Sequence, residues 1–146
     1  MEIERKWLVE EVPDLRGVKG ESICQAYIST APVIRIRQKG KRYELTVKGS
    51  GLMAREEMNL PIDELAFLRL LTKAEGRIIK KTRYVLPLEN GLKVELDHFA
   101  SPMEGLYLAE IEFSSVAEAN AFPGLPWFGK DVTNDPKYHN SVMSKM

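Results

Sequence analysis

The sequence has one cysteine, Cys24, and only two histidines, His98 and His139. A single thiol excludes an internal disulfide and any zinc site built from several cysteines. There is no surplus of either charge: Lys and Arg together number 21, and so do Asp and Glu. That balance does not draw the chain toward nucleic acid or an anionic membrane surface. No apolar run approaches the roughly 18 residues of a membrane-spanning helix, and Glu2 and Glu4 stand where a secretory leader would be positive. Pro- or Gly-rich linkers, internal repeats and low-complexity stretches are also missing. With 146 residues, 44% hydrophobic and 29% charged, the expectation is a single cytoplasmic globular domain over residues 1–146.

What is present is alternation. The opening stretch MEIERKWLVE places Glu2, Glu4 and Lys6 at every second position, with Ile3, Arg5 and Trp7 between them. A helix brings together residues three or four apart, whereas a strand puts every second residue on one face. Strands are predicted at about 2–9, 22–29, 33–38, 42–48, 54–61, 77–87, 91–99 and 105–114. Turn signals separate several of them: Lys39-Gly40, Gly49-Ser50-Gly51 and Asn90-Gly91. Leu65, Leu68 and Leu71 repeat at helical spacing over 63–74, with Gly76 as the expected stop. Ser115 and Glu118 have the spacing of a capping box, and Asp135-Pro136 reads as the start of a C-terminal helix. The expected fold is α+β but mainly β: an eight-stranded antiparallel barrel with a few peripheral helices.

The charged faces recur and are sorted by sign. Arg35 and Arg37, Thr46 and Lys48, and Lys81 and Arg83 each lie two apart, as do Glu95 and Asp97, and Glu110 and Glu112. A sheet with one wet face accounts for any one such strand. Carboxylates concentrated on the first, seventh and eighth strands, and cations on the third, fourth and sixth, are another matter, because like charges side by side repel unless neutralised. Hard cations such as Mg²⁺ would relieve the carboxylates, and a polyanion would relieve the basic strands. If the barrel turns these faces inward, they line a tunnel with an acidic side and a basic side.

Glu2-Ile-Glu4-Arg-Lys6 resembles the ExExK signature of the CYTH proteins, or triphosphate tunnel metalloenzymes. Gln25-Ala-Tyr27, Arg35-Ile-Arg37, Thr46-Val-Lys48, Lys81-Thr-Arg83, Glu95-Leu-Asp97 and Glu110-Ile-Glu112 follow in the family's order. The tail around Trp127 to Asp135 and Tyr138-His-Asn140 is similar to the short, tripolyphosphatase-like bacterial branch. The resemblance implies an eight-stranded tunnel with a charged interior that holds a triphosphate and a divalent metal, Mg²⁺ or Mn²⁺. It implies Glu2, Glu4, Glu95, Asp97, Glu110 and Glu112 as metal ligands, and Lys6, Arg35, Arg37, Lys48, Arg55, Lys81 and Arg83 as the phosphate cradle. The reaction it implies is hydrolysis of inorganic tripolyphosphate to pyrophosphate and phosphate, with Lys6 and Glu4 central. An adenylate cyclase and a non-catalytic polyphosphate or nucleotide sensor are the alternatives.

Four further positions take plainer readings. His98 falls on the opposite face of its strand from Glu95 and Asp97, which suggests packing or surface. His139 is expected to be exposed, and Cys24 to be a buried thiol. Lys137, on the terminal helix, is a candidate catalytic residue if that helix plugs one end of the tunnel. Uncovered apolar strand faces would suit helices or a homodimer.

Overall fold

The computed structural model describes residues 1–146 and is mainly an antiparallel β-sheet with a few short helices. Its strands are β1 (Glu2–Val9), β2 (Gly20–Thr30), β3 (Val33–Lys39), β4 (Arg42–Lys48), β5 (Ala54–Arg55), β6 (Glu57–Ile62), β7 (Glu75–Pro87), β8 (Lys93–Ser101), β9 (Tyr107–Glu112) and β10 (Phe128–Asp131). The helices are α1 (Glu64–Leu71), α2 (Val116–Ala121) and α3 (Asn140–Met143), with a single 3₁₀ turn at Pro136–Tyr138. Strand order across the sheet is β10-β1-β9-β8-β7-β2-β3-β4-β6, and β5 pairs with β1. The predicted strand over 54–61 is therefore two pieces with only Glu56 between them. One piece pairs β1, Glu2 opposite Arg55, and the other pairs β4, Lys48 opposite Glu57.

Local chemistry sets the ends of the elements. Asp63 caps α1 by accepting from the Ala66 amide at 2.7 Å, and the Ser115 hydroxyl caps α2 through the Glu118 amide at 3.0 Å. Asp135 accepts from the Lys137 amide at 3.1 Å, but it opens a 3₁₀ turn rather than a continuous helix. Gly76 does not stop α1, which ends at Thr72. It lies inside β7 at φ +70, where a side chain would collide with the carbonyl of Ser144. β10 was not anticipated from the sequence. It forms because Trp7 and Val9 offer β1's second edge to Asp131 and Phe128.

Apolar residues gather in three places. On the face of β1, β8 and β9 that carries Ile3 and Trp7, the side chains of Trp7, Leu96 and Ile111 pack with Phe113, with Ala119 of α2 and with Phe128 of β10. Ile36, Phe67 and Leu45 form a second cluster beneath α1. These helices and β10 cover most of the apolar strand faces, leaving Met58 and Leu60 on β6 exposed. The third cluster joins Tyr27, Val33, Ile79, Phe99, Leu108, Val132 and Met143. It includes Tyr27 and Val33, which line the charged cavity described below, so α3 seats its Met143 against an apolar floor. No helix is long and apolar enough to cross a membrane.

Candidate active site

Strands far apart in the sheet order supply one cavity of about 200 Å³, lined by 18 residues of which only two are hydrophobic. β1 contributes Glu2, Glu4 and Lys6; β3 contributes Arg35, Arg37 and Lys39; β4 contributes Glu44 and Lys48. Arg55, Glu57, Lys81, Arg83, Glu95 and Glu110 complete the charged wall, and Asn140 and Ser141 enter from α3. The sheet curls far enough for Lys48 Nζ on β4 to reach Glu2 Oε1 on β1 at 2.9 Å. The two-residue period and the antiparallel register together collect these side chains. Lys6 stands opposite Glu110, Glu110 opposite Glu95, and Gln25 opposite Arg37.

The carboxylates are unequal. Burial opposes ionisation of Glu110, yet Lys6, Arg83, Lys81 and Lys48 around it hold it well below the usual carboxylate range. Its closest cation is Lys6 Nζ, at 3.3 Å. Glu95 is held by Arg83 Nη1 at 3.0 Å. The Glu4 side chain makes no hydrogen bond or salt bridge in the protein, although its backbone amide donates to the Met53 carbonyl at 3.0 Å. Burial, reinforced by the charges of Glu110 and Glu2, pushes its carboxyl up to about 8. Lys6 and Lys48 lower it less than burial and the neighbouring carboxylates raise it, so Glu4 is an acidic side chain of the cavity left without a salt bridge.

The cations also differ. Lys6 and Lys81 are both buried ammonium groups. Burial lowers both, but Glu110 and Glu4 reverse that for Lys6 and leave it raised. Lys81, with Arg83 and Arg37 nearby, falls to about 7 even though Asp97 Oδ2 lies 2.7 Å away. Arg37 is lowered to about 9 by burial and then by Arg35 and Arg83. Arg35 donates through Nη2 to Thr46 Oγ1 at 3.1 Å, while its buried Nε has no partner. Two guanidinium groups lie close enough to depress one another, and one of them has a donor without an acceptor.

Most residues expected from the sequence meet in this cavity: Glu2, Glu4, Lys6, Arg35, Arg37, Lys48, Arg55, Lys81, Arg83, Glu95 and Glu110. Three do not line it. Asp97 is fully buried behind the wall, held by Arg83 and Lys81. Glu112 lies at the exposed end of β9. Lys137 is exposed, its ammonium 5.3 Å from the Tyr138 ring centroid. Tyr27, Lys39, Glu44, Asn140 and Ser141 line the cavity without having been singled out as site residues. Lys39 and Glu44 continue the alternation of Arg35-Arg37 and Thr46-Lys48, a signal the sequence did carry. His139 is buried rather than exposed, its Nε2 2.9 Å from the Thr133 carbonyl oxygen. Cys24 is only half-buried, and His98 stacks on Tyr107 with ring centroids 4.1 Å apart.

Glu2, Glu4, Glu95 and Glu110 offer only oxygen, which suits a hard cation, and unpaired Glu4 is the group such an ion would neutralise. No three carboxylates converge on one point, because Glu2, Glu95 and Glu110 are each turned toward a cationic side chain. The chemistry fits; the side chains are arranged for mutual neutralisation.

Comparison with known proteins agrees. The CYTH domain family matches residues 1–121. The chain is 40% identical over 146 residues to the inorganic triphosphatase of Nitrosomonas europaea, covering 98% of this chain and 96% of that one. It is 35% identical over 149 residues to an inorganic triphosphatase of Acetivibrio thermocellus, covering 99% and 93%. The crystal structure of the inorganic triphosphatase NE1496 superposes with a TM-score of 0.73 at 38% identity, covering 100% of this chain and 95% of that one. Through its motifs, its fold and these likenesses, the chain belongs to the CYTH family.

Proposed function

We propose that this protein is an inorganic triphosphatase that hydrolyses tripolyphosphate to pyrophosphate and phosphate. The observation that carries the reading is the cavity wall. Arg35, Arg37, Lys39, Lys81 and Arg83 gather on strands β3 and β7, and Glu2, Glu4 and Glu110 on β1 and β9, which pair with each other. A cavity this polar has no place for an apolar ligand, and the orphaned Arg35 Nε lacks only an acceptor. The likeness to two inorganic triphosphatases over nearly the whole chain supports the same substrate.

In this reading β5 and β6 act as one bent strand. Pairing β1 on one side and β4 on the other, it closes the sheet into an eight-stranded tunnel, with β10 outside the ring. The whole chain then works as one domain, because the segment after residue 121 supplies β10 and the cavity-lining α3. Arg35, Arg37, Lys39, Lys48, Arg55, Lys81 and Arg83 hold the phosphate chain; guanidinium forks match phosphate oxygens, and the cations offset the charge that collects as the bond breaks. Lys6, between Glu4 and Glu110, orients the chain at the boundary of the two sides. Glu2, Glu4 and Glu110, with Glu95 beside them, would hold Mg²⁺ or Mn²⁺. When bound, such an ion supplies Lewis-acid polarisation and charge shielding. Asp97 serves the cations in this arrangement, and Lys137 is left out of the catalytic set.

The test is a parallel product assay with Mg²⁺ or Mn²⁺, offering tripolyphosphate in one reaction and ATP in the other. Fast phosphate release from tripolyphosphate with slow ATP turnover is the expected result. Cyclic AMP would make the protein a cyclase. No turnover of either compound would overturn the enzymatic reading.

A further inference from the structure

The C-terminal segment is wired to three of the tunnel cations. The Tyr138 carbonyl accepts from Lys6 Nζ at 3.0 Å, and Asn140 Oδ1 accepts from Lys81 Nζ at 3.0 Å. Arg37 is reached indirectly: its Nε donates to Gln25 Oε1 at 2.8 Å, and Gln25 Nε2 donates to Asn140 Oδ1 at 3.0 Å. Gln25 is completely buried, so its amide has no solvent alternative.

The orientation of both amides follows from which groups have protons to give. Arg37 has no acceptor, so it fixes Gln25 with the oxygen toward the guanidinium and the NH₂ toward Asn140. Asn140 must then present its own oxygen. Lys81, which likewise only donates, independently demands the same face. Two donors thus converge on Asn140 Oδ1, and the Nδ2 amine is left without a hydrogen bond in the protein, on a residue that lines the cavity.

We infer that Asn140 is a substrate-contacting residue: its Nδ2 donates to a phosphate oxygen of the bound triphosphate. Gln25 is the positioning residue that locks Asn140 and Arg37 in register. This rests on the triphosphatase reading and deepens it. A neutral donor fixed between Lys81 and Arg37 adds a directed hydrogen bond without adding to the repulsion among cations that already depress one another. It also gives the terminal helix a function in the site: supplying a neutral donor from a cavity-lining residue.

The experiment uses the full chain with EDTA, titrating tripolyphosphate by calorimetry into wild type and Asn140→Asp. The aspartate keeps an acceptor for Lys81 and Gln25 but replaces the inward donor with a negative oxygen. Binding is expected to weaken at least tenfold, with a matching rise in KM under Mg²⁺, and the circular dichroism spectrum unchanged. Binding by Asn140→Asp within twofold of wild type would overturn the inference. Failure of wild type to bind tripolyphosphate would instead count against the triphosphatase reading. A second measurement stands independently of how the variant folds: the side-chain NH₂ resonances of wild type during the same titration. The Asn140 signal should shift markedly and that of Gln25 little, and an unmoved Asn140 signal would overturn the assignment.

Discussion

Arg83 grips Asp97 with two hydrogen bonds, Nε to Oδ1 at 2.7 Å and Nη2 to Oδ2 at 2.9 Å, where both side chains are almost wholly buried. Lys81 Nζ reaches the same carboxylate at 2.7 Å. Asp97 therefore has two cations to balance and no free face toward the cavity. In the proposed reading it serves to hold Arg83 and Lys81 in place for the substrate. Asp97→Asn would leave two buried cations short of their shared counter-charge, at a cost of about 3–5 kcal/mol. The expected outcome is a large fall in Tm and weakened tripolyphosphate binding, with metal affinity unchanged. A metal affinity lost alongside a preserved Tm would restore Asp97 as a ligand.

Glu4 has the opposite character, a carboxyl group with no salt bridge, raised to about 8 by burial and by Glu110 and Glu2. Glu4→Gln removes a negative oxygen from the acidic side while keeping its shape. Metal-dependent turnover should fall roughly 100-fold or more, equivalent to about 2.7 kcal/mol of barrier, with the folded spectrum intact. Normal activity in this variant would remove Glu4 from the site.

Lys81 makes the binding step pH-dependent. Its ammonium loses its proton near 7 in the free protein, so at pH 8 most molecules carry a neutral amine there, and at pH 6 most carry the charge. A triphosphate anion favours the charged form and raises that value. Metal-free binding at pH 8 should therefore take up protons and be weaker than at pH 6. Calorimetry in buffers of different ionisation enthalpy measures the uptake. Lys81→Arg, which stays charged throughout, supplies the baseline, and equal uptake by both proteins would refute the assignment.

Arg35 offers a buried Nε with no acceptor in the protein. A charge-assisted hydrogen bond to phosphate is worth about 1.5–3 kcal/mol. Arg35→Lys keeps the charge but loses the fork, and tripolyphosphate binding should weaken roughly 10- to 100-fold. Unchanged affinity would show that Nε stays unpaired in the complex as well.

Much of this site was legible because strand periodicity is strict. Once Glu2, Glu4 and Lys6 share a face, so do Arg35 with Arg37 and Glu95 with Asp97. Depth within the cavity is not written in that period. Glu95 and Asp97 share a face, yet only Glu95 lines the cavity, because Asp97 sits opposite Arg83. Glu112 belongs to the same ladder as Glu110 but falls at the exposed end of β9. β10 has no alternation of its own, with Gly129 among its four residues, and owes its existence to the edge of β1. Nor does local pattern reveal Asn140, whose importance lies in a buried glutamine 115 positions earlier.

The pairing of β1 with β10, and of Lys6 with the carbonyl of Tyr138, has a consequence for biosynthesis. Residues 2–9 are made well before their edge partner at 128–131 and the acceptor for Lys6, which follow more than a hundred residues later. A nascent chain that has only reached α2 thus exposes one edge of β1, and it carries a cluster of cations still lacking Asn140. Long-range pairing of this kind slows folding. The cavity wall is complete only once α3 has emerged, so in the proposed reading a ribosome-bound intermediate should bind tripolyphosphate far less well than the full chain.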